Sequence, residues 1–142
     1  MSAVEIRCAT EADRDFWFSL DRHLPVSGFA EKVRTRTGLV LFSGGEAAGI
    51  LRWHYFWDSI PFCTLLYIHP DLQRRGLGRA LMRFWEDEML SHGHDLTMTS
   101  TQADEDAQHF YRKLGYMDCG SFVLPFPGYS QPAELILARM LR

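Results

Sequence analysis

The chain has 142 residues, 46% of them apolar and 23% charged, which suits one globular domain with a sizeable core and excludes a disordered chain. Its net charge of −3 gives no reason to expect nucleic acid as a partner. No apolar run approaches the ~18–20 residues that span a bilayer, so no membrane role is expected either. Cys8, Cys63 and Cys119 are scattered without a Cys-x-x-Cys pair, which predicts inert thiols rather than a disulfide framework or zinc site. With no apolar leader at the start, the expectation is a soluble, cytoplasmic protein.

In chain order, Val4–Cys8 alternates and reads as a first strand. Thr10 then stands as an N-cap with Asp13 three residues on, and Phe16, Trp17, Leu20 and Leu24 recur at helical spacing until Pro25. A second, more charged helical stretch runs from Ser27 to Arg36 and ends at Gly38. Leu39–Phe42 is a strand, Ser43-Gly44-Gly45-Glu46 a hairpin turn, and Ala47 to Trp57 a longer strand. Alternation places Leu51, Trp53, Tyr55 and Trp57 on one face of that strand, with Ile50, Arg52, His54, Phe56 and Asp58 on the other. A turn at Asp58–Pro61 leads into a third strand, Phe62–Ile68, completing an antiparallel meander.

That third strand opens the stretch on which the reading turns. After Ile68 come His69-Pro70-Asp71-Leu72 and then Gln73-Arg74-Arg75-Gly76-Leu77-Gly78-Arg79, from which Leu77, Leu81, Phe84, Trp85 and Met89 mark a helix to about Leu90. A strand therefore feeds a glycine-bearing turn that starts a helix. Such a start aims unpaired backbone N–H groups and the positive end of the helix dipole at one point. Gly76 and Gly78 let an anion lie against the main chain, and Arg74, Arg75 and Arg79 surround it with positive charge. The spacing fits neither a Walker loop, which ends Gly-Lys-Ser/Thr, nor a dinucleotide fingerprint, which needs a third glycine.

Beyond the helix, Asp95–Ser100 is a strand reached by a crossover and hence parallel to its predecessor. Thr101 or Asp104 caps the next helix, which carries Arg112 and Lys113 late and stops at Gly115. A strand near 120–124, a proline-punctuated loop (Pro125, Pro127, Pro132) and a last strand from Glu134 to Met140 finish the chain.

The run Gln73-x-x-Gly76-x-Gly78 between strand and helix resembles the acyl-CoA-binding motif of the GNAT N-acetyltransferase superfamily. A second segment, Ala107-Gln108-His109-Phe110-Tyr111-Arg112-Lys113-Leu114-Gly115-Tyr116, resembles that family's Ala-x-x-Phe-Tyr-x-Lys-x-Gly-Phe. The resemblance implies one α/β domain over 1–142. Its fold would be a mixed, mostly antiparallel sheet of about six to seven strands with about four helices, and a splayed parallel pair at the cofactor cleft. It implies acetyl-CoA as cosubstrate, with main-chain groups of Leu66, Tyr67 and Ile68 serving the pantetheine amides. Arg74, Arg75, Gly76, Leu77, Gly78 and Arg79 would hold the pyrophosphate. The activity implied is N-acetylation of an amine on a small molecule or a protein, the alternative being a non-catalytic acyl-CoA-binding module or a general phosphate-ligand binder.

For the chemistry, Tyr111 stands where the family places the acid that protonates the departing thiolate. Many relatives carry a carboxylate on the strand that here reads Leu96-Thr97-Met98-Thr99, and they often have an asparagine where Asp104 stands. The base is therefore sought among Asp58, His54, His23 and a water chain, with Asp58 preferred because it ends a strand beside the implied cleft. His92-x-His94 and His109 read as surface residues, and Arg83 as a solvated helix charge rather than a 3′-phosphate partner. Trp53, Tyr55, Phe56, Trp57 and Phe62 divide between core and acceptor pocket. The resemblance gives the loop Pro125–Pro132 and the last two strands to the acceptor side or to a homodimer contact.

Overall fold

The computed structural model describes residues 3–142. Seven strands, β1 (Val4–Cys8), β2 (Gly38–Ser43), β3 (Glu46–Phe56), β4 (Ile60–Ile68), β5 (Leu96–Gln102), β6 (Met117–Phe122) and β7 (Glu134–Met140), pair in the order β1-β2-β3-β4-β5-β7-β6. Four α-helices accompany them: α1 (Arg14–Leu20), α2 (Val26–Thr35), α3 (Leu77–Ser91) and α4 (Ala107–Lys113). The one parallel pairing is β4 with β5, across the α3 crossover, and it registers only Phe62 with Met98 and Cys63 with Thr99. The mixed, mostly antiparallel sheet expected from the sequence is present. The backbone gathers into two compact units, one of residues up to His54 with Thr64–Glu88, the other of Tyr55–Cys63 with Met89–Arg142.

In the first unit, the apolar faces of α1 and α2 bury Trp17 and Phe29 against Val40 and Ile50. The Trp17 and Phe29 rings meet at 5.6 Å between centroids. On α3, Leu77, Leu81, Met82 and Trp85 are buried, and Trp85 lies 6.2 Å from Trp53 of β3. Arg7 on β1 donates to both carboxylate oxygens of Asp13, at 2.8 and 3.0 Å. The Arg7 hydrogen bond holds the Asp13 carboxyl below the usual range against the cost of burial. In the second unit, β5 and β7 run antiparallel along their whole length, from Leu96 opposite Met140 to Gln102 opposite Glu134. Thr97 and Tyr116 share a buried hydrogen bond at 3.0 Å.

Four local expectations are corrected. Helix α1 stops at Leu20 rather than running on to Leu24. The Asp21 carboxylate accepts the backbone N–H groups of His23 and Leu24, at 3.0 and 3.1 Å, and so satisfies them outside a helix. Helix α2 ends not at Gly38 but at Arg36, which takes a left-handed φ of 59° while its N–H returns to the carbonyls of Lys32 and Val33. Trp57 does not continue β3: with φ 54° it begins the hairpin turn together with Asp58 at φ 58°. Helix α4 starts only at Ala107 after Asp106, because Thr101 still belongs to β5 and Asp104 to the intervening turn.

Candidate functional site

The loop read from the sequence as an anion cradle follows β4, within the first unit. The His69 N–H donates to the Ala48 carbonyl at 2.7 Å, which ties the end of β4 to β3. Pro70–Leu72 forms one 3-10 turn, started by the His69 ring accepting from the Asp71 N–H at 3.1 Å. The Gln73 side-chain amide then reaches back and donates to the Ile68 carbonyl at 3.0 Å. This latch closes the loop between strand and helix. Its signal in the sequence was the first letter of the motif, but its partner could not be read there.

From the latch the chain passes through Arg74 at φ 65° and Gly76 at φ 78° before turning into α3. Gly76 occupies the left-handed region where a glycine is at no disadvantage; nothing lies within 4 Å of where its Cβ would stand. The positive φ thus belongs to Gly76, and Gly78 lies inside the helix. The first α3 hydrogen bond runs from the Ala80 N–H to the Gly76 carbonyl at 3.0 Å. The N–H groups of Leu77, Gly78 and Arg79 therefore have no acceptor within the helix. Leu77 is buried and anchors the first turn, whereas Arg74, Arg75 and Arg79 are exposed. Among the described residues these three arginines make no ion pair. Arg83 behaves differently from its expected role as a solvated charge: it donates at 2.6 Å to Glu86, a carboxylate 2% exposed.

Gly49 supports this end of β4 from the neighbouring strand. A Cβ there would overlap the Ile68 side chain and lie 3.2 Å from the Tyr67 carbonyl. A side chain there would push the end of the Ile68 side chain aside and press on the backbone of the strand that carries Leu66, Tyr67 and Ile68. An open hollow of about 290 Å³ beside this strand end is lined by Ser19, Leu20, Arg22, Tyr67, His69, Pro70 and Asp71.

A polar cluster sits farther back in the same unit. Asp21, 2% exposed, accepts from the Arg52 guanidinium at 2.8 Å and from the Trp17 indole at 3.0 Å. Burial works against the Asp21 charge, but the Arg52 guanidinium and the His23 and Leu24 N–H groups hold its carboxyl below the usual range. Lys32 donates to the Trp53 carbonyl at 2.7 Å, and burial followed by the charge of Arg52 pulls its ammonium down. His54 shares a 2.7 Å hydrogen bond between its Nδ1 and the Thr64 hydroxyl of β4. Desolvation, then Lys32 and Arg52, lowers the imidazole below its ordinary value. The sequence placed His54 and Arg52 on one face of β3; the pairing of His54 with Thr64 depends on a register between strands that no motif records.

The second unit holds Tyr111. Its side chain is buried at 5% exposure, with its ring 5.8 Å from that of Tyr116. Burial drives the phenol far above its ordinary value, Cys63 adds to the rise, and the Thr99 hydroxyl works the other way. Thr99 donates its hydroxyl to the Cys63 carbonyl at 3.0 Å. Asp58 is exposed in the turn that precedes β4. His109 and Asp104 are exposed on α4 and the turn before it, and His94 pairs with the Tyr55 hydroxyl at 3.2 Å. No group of three or more metal-ligating side chains occurs among the described residues, and no helix is long and apolar enough to cross a membrane. Of the aromatic set, Trp53 and Phe62 are buried, whereas Tyr55 and Trp57 are exposed.

Comparison with known proteins agrees with this arrangement. The family model described as Acetyltransferase (GNAT) family matches residues 5–116. Among solved structures, Ard1 from Thermoplasma volcanium superposes with a TM-score of 0.82 at 17% identity, over 97% of each chain. The ribosomal-protein-S18-alanine N-acetyltransferase from Escherichia coli gives 0.79 at 21% identity, over 98% of this chain and 94% of that one. A putative acetyltransferase, yncA of Salmonella typhimurium, solved with its cofactor acetyl-CoA, gives 0.76 at 19% identity, over 99% and 95%. At such identities the structures speak for the fold, and the family match, which takes in both motifs, speaks for descent. The chain belongs to the GNAT acetyltransferase family.

Proposed function

We propose that this protein is an acetyl-CoA-dependent N-acetyltransferase that acetylates a primary amine of a small molecule or a protein. The observation that carries the reading is the start of α3, where three N–H groups lack helical acceptors beside three arginines that make no ion pair among the described residues. A pyrophosphate matches that donor set in charge and in hydrogen-bonding capacity. Bound acetyl-CoA supplies the activated acetyl thioester. Leu77, Gly78 and Arg79 hold its pyrophosphate by main chain, and Arg74, Arg75 and Arg79 by charge. Main-chain groups of Leu66 and Tyr67 serve the pantetheine amides. The Ile68 carbonyl already accepts the Gln73 side-chain amide, which leaves it one further lone pair.

Tyr111 is the proton donor in this reading. Burial holds the phenol protonated but also weakens it as an acid, since an effective donor titrates nearer the working pH. One observation favours the second reading, a binding module without turnover: Thr99 spends its hydroxyl on a carbonyl and offers no base on β5. A panel of amines followed by release of free CoA thiol separates the two, with turnover of at least one amine expected. Calorimetry should show acetyl-CoA binding well above ATP or NADPH, since only acetyl-CoA presents the pantetheine arm. With an acceptor in hand, Tyr111→Phe should leave acetyl-CoA affinity nearly unchanged and slow single-turnover transfer by roughly 10²–10⁴-fold. Equal single-turnover rates would remove Tyr111 from the mechanism.

A further inference from the structure

We propose that Arg52 and Lys32 form a receptor for an anionic group on the acceptor, so that the amine acetylated is one that also carries a carboxylate. The inference rests on the N-acetyltransferase reading and deepens it by naming the class of acceptor. Both residues belong to the first unit, the one that carries the cradle. The first support is an unspent guanidinium. The Arg52 side chain is only 10% exposed, and it donates through Nε to Asp21 at 2.8 Å. Neither of its Nη atoms has an acceptor among the described residues. Buried donors are rarely left without a partner, and a planar guanidinium fork matches a carboxylate in shape and charge.

The second support is a surplus of positive charge. Lys32 on α2 is half-buried and donates to the carbonyl of Trp53, the residue after Arg52, at 2.7 Å. It lies near enough to Arg52 for that charge to oppose its own. Among the described residues Lys32 makes no ion pair. Asp21 is taken by Arg52, and Glu31, next to Lys32 in the chain, is exposed and held by Arg34 at 2.6 Å. Two cations thus share one buried carboxylate, and a second carboxylate from outside brings the group to neutrality. It accepts from the Arg52 fork and from Lys32, and it favours the charged ammonium that burial opposes. The third support is place. His54, which follows Trp53, is bonded to Thr64 of β4 at 2.7 Å, two residues before Leu66. The receptor is therefore built on the strand next to the stretch of β4 whose main chain serves the pantetheine arm in this reading. The anionic group is held there and takes no part in bond making.

The test uses the intact chain and acceptors in matched pairs. One set is ω-amino acids of increasing length, each against its own amide; the other is short peptides with glutamate or glutamine in second place. Release of CoA thiol should show kcat/KM roughly 10–100-fold higher for the carboxylate member of the pairs that turn over, most of it in KM. Lys32→Met should shrink that ratio toward one, while Lys32→Arg should keep it. Calorimetric acetyl-CoA affinity should stay within about twofold of wild type in both. Arg52→Gln should also abolish the preference, but it strips buried Asp21 of its cation and so puts the fold at risk. Lys32→Met leaves that pair intact and decides the matter by itself. A folded Lys32→Met protein with the wild-type preference overturns the proposal alone. So does wild-type protein that acetylates the neutral members as well as the acids. Wild-type protein that binds acetyl-CoA yet releases no thiol with any amine, charged or neutral, overturns the parent reading, and this one with it.

Discussion

The two ends of β4 are both reached through backbone that side chains seldom adopt. Before the strand, Trp57 and Asp58 take φ of 54° and 58°; after it, Arg74 takes 65° and Gly76 78°. A left-handed residue other than glycine costs on the order of 1–2 kcal/mol, so each end gives up stability. The first end recovers it locally. Two successive positive φ values match the twist of a tight hairpin, and the Ser59 N–H closes the turn on the Phe56 carbonyl at 3.2 Å. At the second end the gain is not a hairpin. Arg74 points the chain so that α3 begins with open N–H groups, and three arginines remain exposed around them. Backbone strain alone therefore marks no site; strain that leaves donors unspent does.

The largest expected effect tests this distinction at Gly78. It is the second residue of α3 and is not in the left-handed region, so the helix backbone accepts a side chain there. Gly78→Val should keep its circular dichroism and thermal midpoint close to wild type, while a branched side chain over the open N–H groups blocks the pyrophosphate. Calorimetric acetyl-CoA affinity should fall by more than about 100-fold, in line with the loss of several charge-assisted hydrogen bonds. A well-folded variant binding at wild-type affinity would refute the cradle.

Much of this end was legible in the sequence because it is local. Strand formers, a proline, two glycines and a helical apolar stripe lie in one continuous stretch, and each fixes its neighbours' conformation. What escaped was whatever depends on another strand or on competition. Helix α1 has apolar spacing out to Leu24, yet Asp21 stops it by capturing the next backbone donors and the Trp17 indole. Nothing in the sequence sets Gly49 apart; its closeness to Ile68 follows from the approach of two strands. His54 was one histidine among six until the register of β3 with β4 gave it Thr64. Tyr111 was picked out by its motif, but the depth of its burial was not.

The next effect in size concerns the charges. Arg74, Arg75 and Arg79 leave the loop and helix in different directions, so they cannot share one phosphate oxygen. Single alanine substitutions should weaken acetyl-CoA unequally, by about 1–3 kcal/mol where a charged hydrogen bond is lost and by almost nothing where it is not. Affinity should also fall as salt is raised, because the three side chains are exposed and screened. Three neutral substitutions and a flat salt profile would leave the main chain as the sole holder of the pyrophosphate.

The smallest effect is the sharpest test of the comparison, because one kind of substitution is made at both ends of β4. Asp58→Gly and Arg74→Gly each replace a left-handed side-chain residue with the residue that suits it. Each should relieve strain, offset in part by the greater freedom of glycine in the unfolded chain, for a net gain of about 0.5–1 kcal/mol in urea unfolding. The two should then part company in acetyl-CoA binding. Asp58 lies in the turn before β4, outside the stretch that carries the cradle, so Asp58→Gly should bind as wild type does. Arg74 gives up a cation beside the cradle, so Arg74→Gly should bind more weakly despite a more stable fold. That divergence would mean the Arg74 conformation is kept at the expense of stability because its charge is needed there. If both variants gained stability and neither lost affinity, the strain at Arg74 would be as ordinary as that at Asp58.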